Sequence, residues 1–189
     1  MLVQLIKLGV VAGAGYAAWK ALTKQRRIPF FREALQAGVG DVAAARSAQR
    51  RGASAELRAF AQQLEREHAE HNVELAQASG LDQPDPDPRQ LAALRKVERA
   101  QGSDYDRAWL DHVGRCHADA VLLYEREVAQ AGAGGPLAED MLPRLRAHAA
   151  RVAELRDAVV AANAAGAAAS RDDSSEVSTA AYGEPRAVM

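Results

Sequence analysis

The residues of this chain best suited to chemistry are histidines and carboxylates at helical spacing. Glu65, His68 and His71 stand at three-residue steps within LEREHAEHN, which brings them near one face of a helix with 3.6 residues per turn. Asp41, His117 and His148 each fall on a further apolar repeat of their own segment. Imidazole nitrogen with carboxylate oxygen is a donor set that suits Fe, Mn, Zn or Cu. It can hold an ion only if the segments are helices and the residues share one level.

The chain of 189 residues has room for one domain and appendages. Its 24 Lys+Arg against 25 Asp+Glu leave a net charge of -1, so no global field recruits a polyanion, and nucleic acid is not expected as a partner. The single cysteine, Cys116, cannot form an internal disulfide, and no CxxC pair is present. It reads as a small core residue beside His117 rather than a nucleophile, which would need a thiolate-stabilising base. Aromatic residues make up 5% of the chain and alanine is abundant, which favours closely packed helices and an all-α fold.

Leu2 to Leu22 is apolar except for Gln4, Lys7 and Lys20, about the length needed to cross a hydrocarbon core of roughly 30 Å. Residues 1–28 therefore read as a membrane anchor with a basic flank. Gly9, Ala12, Gly13 and Ala17 give this helix a small-residue face through which two copies could associate. A cleaved signal peptide is the competing reading, with Lys7 as its n-region and cleavage near Ala17. Lys20, Lys24, Arg26 and Arg27 follow the apolar run and by the positive-inside rule belong on the cytoplasmic side.

The stretch 29–165 patterns as four amphipathic helices. Pro29 opens the first, in which Phe31, Ala34, Gly38, Asp41, Ala45 and Ala48 recur at steps of three and four until Gly52. Ser54 caps the second, whose face runs through Leu57, Phe60, Leu64, His68, His71 and Leu75 to a stop at Gly80. DQPDPDP, from Asp82 to Pro88, cannot be helical and forms a stiff loop before a short helix, Arg89 to Ala100. The third long helix turns Tyr105, Trp109, Val113, His117, Ala120, Tyr124 and Val128 inward. GAGGP ends it, and the fourth carries Met141, Leu145, His148, Val152, Leu155 and Val159. Residues 166–189, with SRDDSSEVST, lack apolar periodicity and are expected to be a disordered tail. The architecture expected is an antiparallel four-helix bundle with a short helix in its crossover.

Counting from the turns places the inward polar residues at one level. Asp41 and His68 lie roughly 18 and 22 Å from the first turn, and His117 and His148 roughly 25 and 21 Å from the last, at about 1.5 Å per residue. One inward polar residue per helix is how bundles build metal sites. Glu65-x-x-His68 has the Glu-x-x-His spacing of di-iron carboxylate bundles, but Leu145 and Gly114 stand three before His148 and His117, so the second half of that motif is missing. A single ion held by His68, His117, His148 and an acid, Asp41 or Glu65, fits better. The alternative is a hydrogen-bonded polar layer without metal, completed by Tyr105, Tyr124 or a buried water. His71 and His112 are expected at partly exposed flank positions.

AFAQQLEREHAEHNVELA, GSDYDRAWLDHVGRCHADAVLLYERE and LPRLRAHAARVAEL together resemble an exported bacterial ferritin-like family of unknown function whose members are often labelled outer-membrane proteins. The resemblance covers about residues 31–160. His68 matches the family's Asp-His step, His117 its third-helix histidine and His148 the histidine after its Leu-Pro motif. Asp41 stands where the family usually has Glu, Glu67 replaces the aspartate before His68, and Tyr105 and Trp109 replace Phe and Tyr. The resemblance implies a ferritin-like four-helix fold and a periplasmic setting in the cell envelope, the opposite side to the charge rule, and it brings no established activity. Metal handling or stress protection is the expected role, a non-enzymatic structural or interaction module the alternative, and a metal-dependent oxidase or catalase-like enzyme a third reading.

Overall fold

Helix boundaries follow from local chemistry. Helix α1 spans residues 29–51, with Pro29 in its first turn, where a missing N–H costs nothing. Ser54 caps α2 (Ala55–Ser79) by accepting the Leu57 N–H at 3.0 Å. Gly80 ends that helix in the left-handed region at φ 69°, which glycine enters without steric cost. The prolines keep residues 81–87 irregular, and Asp87 Oδ1 accepts the Arg89 N–H at 2.6 Å to start α3 (Pro88–Val97). Residues 98–100, expected in this helix, form a tight turn instead. Helices α4 (Gly102–Ala129) and α5 (Gly135–Ala180) complete the chain described by the computed structural model, residues 29–180, in which there is no strand.

Helix α5 runs on past the boundary drawn near residue 165 in the sequence. VVAANAAGAAAS is rich in alanine, whose helix propensity carries the backbone forward although residues 160–166 are exposed. Residues 181–189 lie outside the described residues, as does the segment 1–28 expected to be an anchor or signal. No helix among the described residues is long and apolar enough to cross a membrane.

Helix α4 packs along α5, α3 against α4, and α2 against α5, and α1 supplies side chains to both halves of the interior of this helical bundle. One half is built around Leu57, Phe60, Leu64, Trp109, Leu110 and Val152. The other is built around Phe31, Leu35, Leu75, Tyr124, Met141 and Leu145. Each such large apolar side chain stabilises the fold by about 1.5–3 kcal/mol on burial. The Trp109 indole N–H donates to the Ala44 carbonyl at 2.8 Å, so its polar atom is satisfied inside the core. Between the two halves every long helix contributes a buried polar residue: Asp41, His68, His117 and His148. Apolar burial above and below fixes the level of this layer.

Candidate metal centre

The inward stripe of α4 brings His117 into the interior between Val113 and Ala120, with no exposed surface. The same 3.6-residue period buries His68 between Leu64 and Leu75 on α2, and His148 between Leu145 and Val152 on α5. The three rings lie 5.3–5.5 Å apart between centroids. Each offers one nitrogen such that the three nitrogens all fall within 4.8 Å of one another.

Hydrogen bonds sort the two nitrogens of His117 and His148, and a nearby carboxylate those of His68. His117 donates Nδ1–H to the Val113 carbonyl at 3.0 Å, which leaves the Nε2 lone pair, and that atom stands 3.3 Å from His68 Nε2. His68 Nδ1 stands 3.7 Å from Asp41 Oδ2. His148 donates Nε2–H to Glu67 Oε2 at 2.8 Å, and its remaining nitrogen, Nδ1, is buried without a partner. One nitrogen of each histidine is thus turned to a carboxylate or a backbone carbonyl while the other is left for the centre. Metal-ligating histidines have this arrangement, the outer acceptor fixing ring orientation and tautomer.

Burial, reinforced by the neighbouring imidazoles, holds the His68 pKa well below its usual 6.5. Burial and His117 also lower that of His148, although Glu67 opposes them. Both rings are therefore neutral near pH 7, the form that ligates metal. Burial raises the Asp41 carboxyl to about 6, with His117 opposing the rise. For Glu67, burial pushes the carboxyl up, but the bonds from Gln63 and His148 outweigh it and leave the pKa below the usual value.

The structure brings Asp41, His68, His117 and His148 together. Glu65, read from the sequence as the alternative acid, is not among them: its carboxylate is held by Arg46 Nε at 2.6 Å and Gln49 Nε2 at 2.6 Å on the α1 side of the bundle. The acid that the sequence reading left out is Glu67, one residue before His68. His71, expected at a flank, is buried, with Nε2 2.9 Å from the Tyr124 hydroxyl and Nδ1 3.2 Å from Glu74 Oε2. Tyr124 therefore joins the polar interior through His71, whereas the Tyr105 hydroxyl bonds Ser47 at 3.0 Å, away from the layer. His112 is half-buried, as expected, and its Nε2 is 3.9 Å from Cys116 Sγ. Burial, with Asp41 and Asp119 adding to it, pushes the half-buried Cys116 thiol up to about 12, so it is protonated at neutral pH and carries no thiolate chemistry.

Periodicity brought out the three histidines but not Glu67, which falls off the apolar stripe of α2, and the family resemblance marked that position only as an aspartate replaced by Glu. No curated protein and no solved structure matches the chain. The family model described as domain of unknown function DUF4142 matches residues 14–155, and the chain belongs to that family.

Proposed function

We propose that this chain is a ferritin-like four-helix bundle of the bacterial cell envelope, tethered through residues 1–28. It binds one transition metal ion at mid-bundle through His68, His117 and His148, in metal handling or stress protection. The observation that carries the reading is that each of the three rings offers a nitrogen within 4.8 Å of the other two, while Asp41, the Val113 carbonyl and Glu67 each face a nitrogen of His68, His117 and His148 in turn. Two nitrogens on a tetrahedral ion with bonds of about 2.05 Å stand about 3.3 Å apart, and the His68–His117 separation is 3.3 Å. The His148 nitrogen lies within 4.8 Å of the other two, so this side chain closes in to complete the third bond. Three imidazoles leave a fourth position for a water, with Asp41 behind His68 at its Nδ1, the pattern of Zn, Cu or Fe sites that keep an open place. A two-metal centre would need more carboxylates than Asp41 and Glu67.

A second reading, a histidine layer that only sets helix register, is favoured by the same 3.3 Å contact, since an N–H of His68 can donate to His117 Nε2 there. Elemental analysis separates the two. The full chain, purified without a metal-binding tag and exposed to Fe, Mn, Zn and Cu, is expected to hold one ion. A His68→Ala, His148→Ala double variant that is still helical is expected to hold none. An empty parent would sink the metal reading and leave the polar layer.

A further inference from the structure

The geometry points to the groove between α1, α3 and α4 as the entry and outer holding site for a hydrated divalent cation on its way to the histidines, a proposal that rests on the metal reading above. The groove encloses about 640 Å³, and Asp41 forms part of its wall. Asp41 is 6% exposed and accepts no hydrogen bond from any described residue; His68 Nδ1 stands 3.7 Å from it, and His117, Cys116 and Tyr124 feel its charge. The carboxylate therefore faces the groove on one side and the histidines on the other. A second acceptor in the same space, the buried Oε1 of Gln90, also has no partner. Gly40 makes room for that side chain, since a Cβ at position 40 would lie 2.9 Å from Gln90 Cδ.

Unsatisfied acceptors in a buried wall call for a ligand that brings donors. An aquo cation is such a ligand, with O–H groups on every side and a charge that Asp41 complements. His112, Cys116 and Asp119 follow one another along the α4 side of the groove at steps of four and three, and Glu33 lies on the α1 side. Among the described lining residues the one Lys or Arg, Arg126, is drawn to Glu33 at 3.9 Å, so the remaining field is negative and draws cations inward. An uncharged apolar molecule would fill the volume against Leu91 and Leu94 but leave Asp41 and Gln90 without donors.

Uptake of cobalt(II) by the metal-free full chain, followed by its visible absorption in a stopped-flow instrument, tests the path. The end-point reads the histidines and the rate reads the groove. Ala37→Leu narrows the groove, and the surface pair Glu33→Gln, Asp119→Asn removes charge without entering the core. Both variants are expected to reach the parental end-point, with uptake slowed at least tenfold by Ala37→Leu and several-fold at low salt by the charge pair. Circular dichroism verifies folding, and the charge pair decides the matter if Ala37→Leu does not fold. A parental rate in a folded variant, with full end-point, overturns the entry path alone. No cobalt at the histidines of the parent overturns the metal reading and the entry path with it.

Discussion

His148 on α5 donates its Nε2–H to Glu67 on α2 at 2.8 Å, and this bond leaves Nδ1 as the nitrogen available to an ion. Glu67 is then a positioning residue for the ligand rather than a ligand. Glu67→Ala is expected to weaken metal affinity about 10–100-fold, the usual effect of losing an outer hydrogen-bond partner, while Glu67→Gln, which keeps an acceptor oxygen, loses less. Competition against a chromophoric chelator reads both. Equal affinity in parent and Glu67→Ala would remove Glu67 from the site.

The buried Asp41 carboxylate has no hydrogen-bond donor, so its charge above pH 6 is a cost to the fold. Asp41→Asn removes that charge at nearly constant volume. In the metal-free chain at about pH 8 the variant is expected to be more stable than the parent by about 1–3 kcal/mol, read from the urea midpoint. The same change weakens metal binding, because His68 loses the carboxylate facing its Nδ1. A destabilised metal-free Asp41→Asn would mean that the carboxylate supports the fold through a partner.

Acid destabilises the metal-free chain by a route whose sign is set by the histidines. The pKa values of His68, His71, His112 and His148 are all lowered from 6.5, by burial first. The unfolded chain therefore takes up these protons before the folded one, and stability that is complete above about pH 6.5 is lost as the pH falls below it. Asp41 acts oppositely: its folded value of about 6 lies above the usual 3.8, so between these values the folded state binds the proton first and gains. His68 faces Asp41, His117, His148 and His71, and one carboxyl offsets only part of four histidines. The urea midpoint is expected to fall between about pH 7.5 and 5, and more steeply in Asp41→Asn. A flat or rising midpoint would contradict the burial of these rings.

How far the site was legible in the sequence depends on what spacing encodes. Ser54 and Gly80 marked the ends of α2 because a cap and a left-handed glycine are local chemistry. Asp41, His68, His117 and His148 could be set at one level because rise per residue is constant in a helix. Spacing did not say which glutamate beside His68 would meet His148. Glu65 lies about 60° to one side of His68 and Glu67 about 100° to the other at 3.6 residues per turn. Which of these directions faces α5 depends on how the helices are arranged around the core, and that is a tertiary fact. His71 was misplaced for the same reason, since its burial comes from Tyr124 on α4.

Asp106 shows a second contact that no local pattern announces. It is 2% exposed and accepts the N–H groups of both Ala53 and Ser54, at 2.8 and 2.9 Å, tying α4 to the turn between α1 and α2. Asp106→Ala strands both donors and leaves a gap, and is expected to cost about 2–4 kcal/mol. Ser54→Ala, which removes only the cap on Leu57, is expected to cost about 1 kcal/mol. Chemical denaturation of the two variants ranks them, and a smaller loss for Asp106→Ala would mean that water replaces the carboxylate at the turn.

Gly38 and Asn72 set the spacing of α1 and α2 one turn from the metal centre. Asn72 is 1% exposed, neither polar atom of its side chain has a partner, and a Cβ at position 38 would overlap its Oδ1. In an open helix Gly→Ala stabilises by about 1 kcal/mol, whereas overpacking a closed contact costs about 1–3 kcal/mol. The buried overlap is the larger effect, so Gly38→Ala is expected to destabilise the chain. Position 38 is three residues from Asp41 and position 72 four from His68, so pushing the helices apart also separates this pair, and metal affinity should fall with stability. Gly38→Ala with Asn72→Ala restores the space and is expected to recover both in part. A Gly38→Ala chain more stable than the parent would show that Asn72 moves aside freely, and that the distance between α1 and α2 is set by the apolar layers above and below.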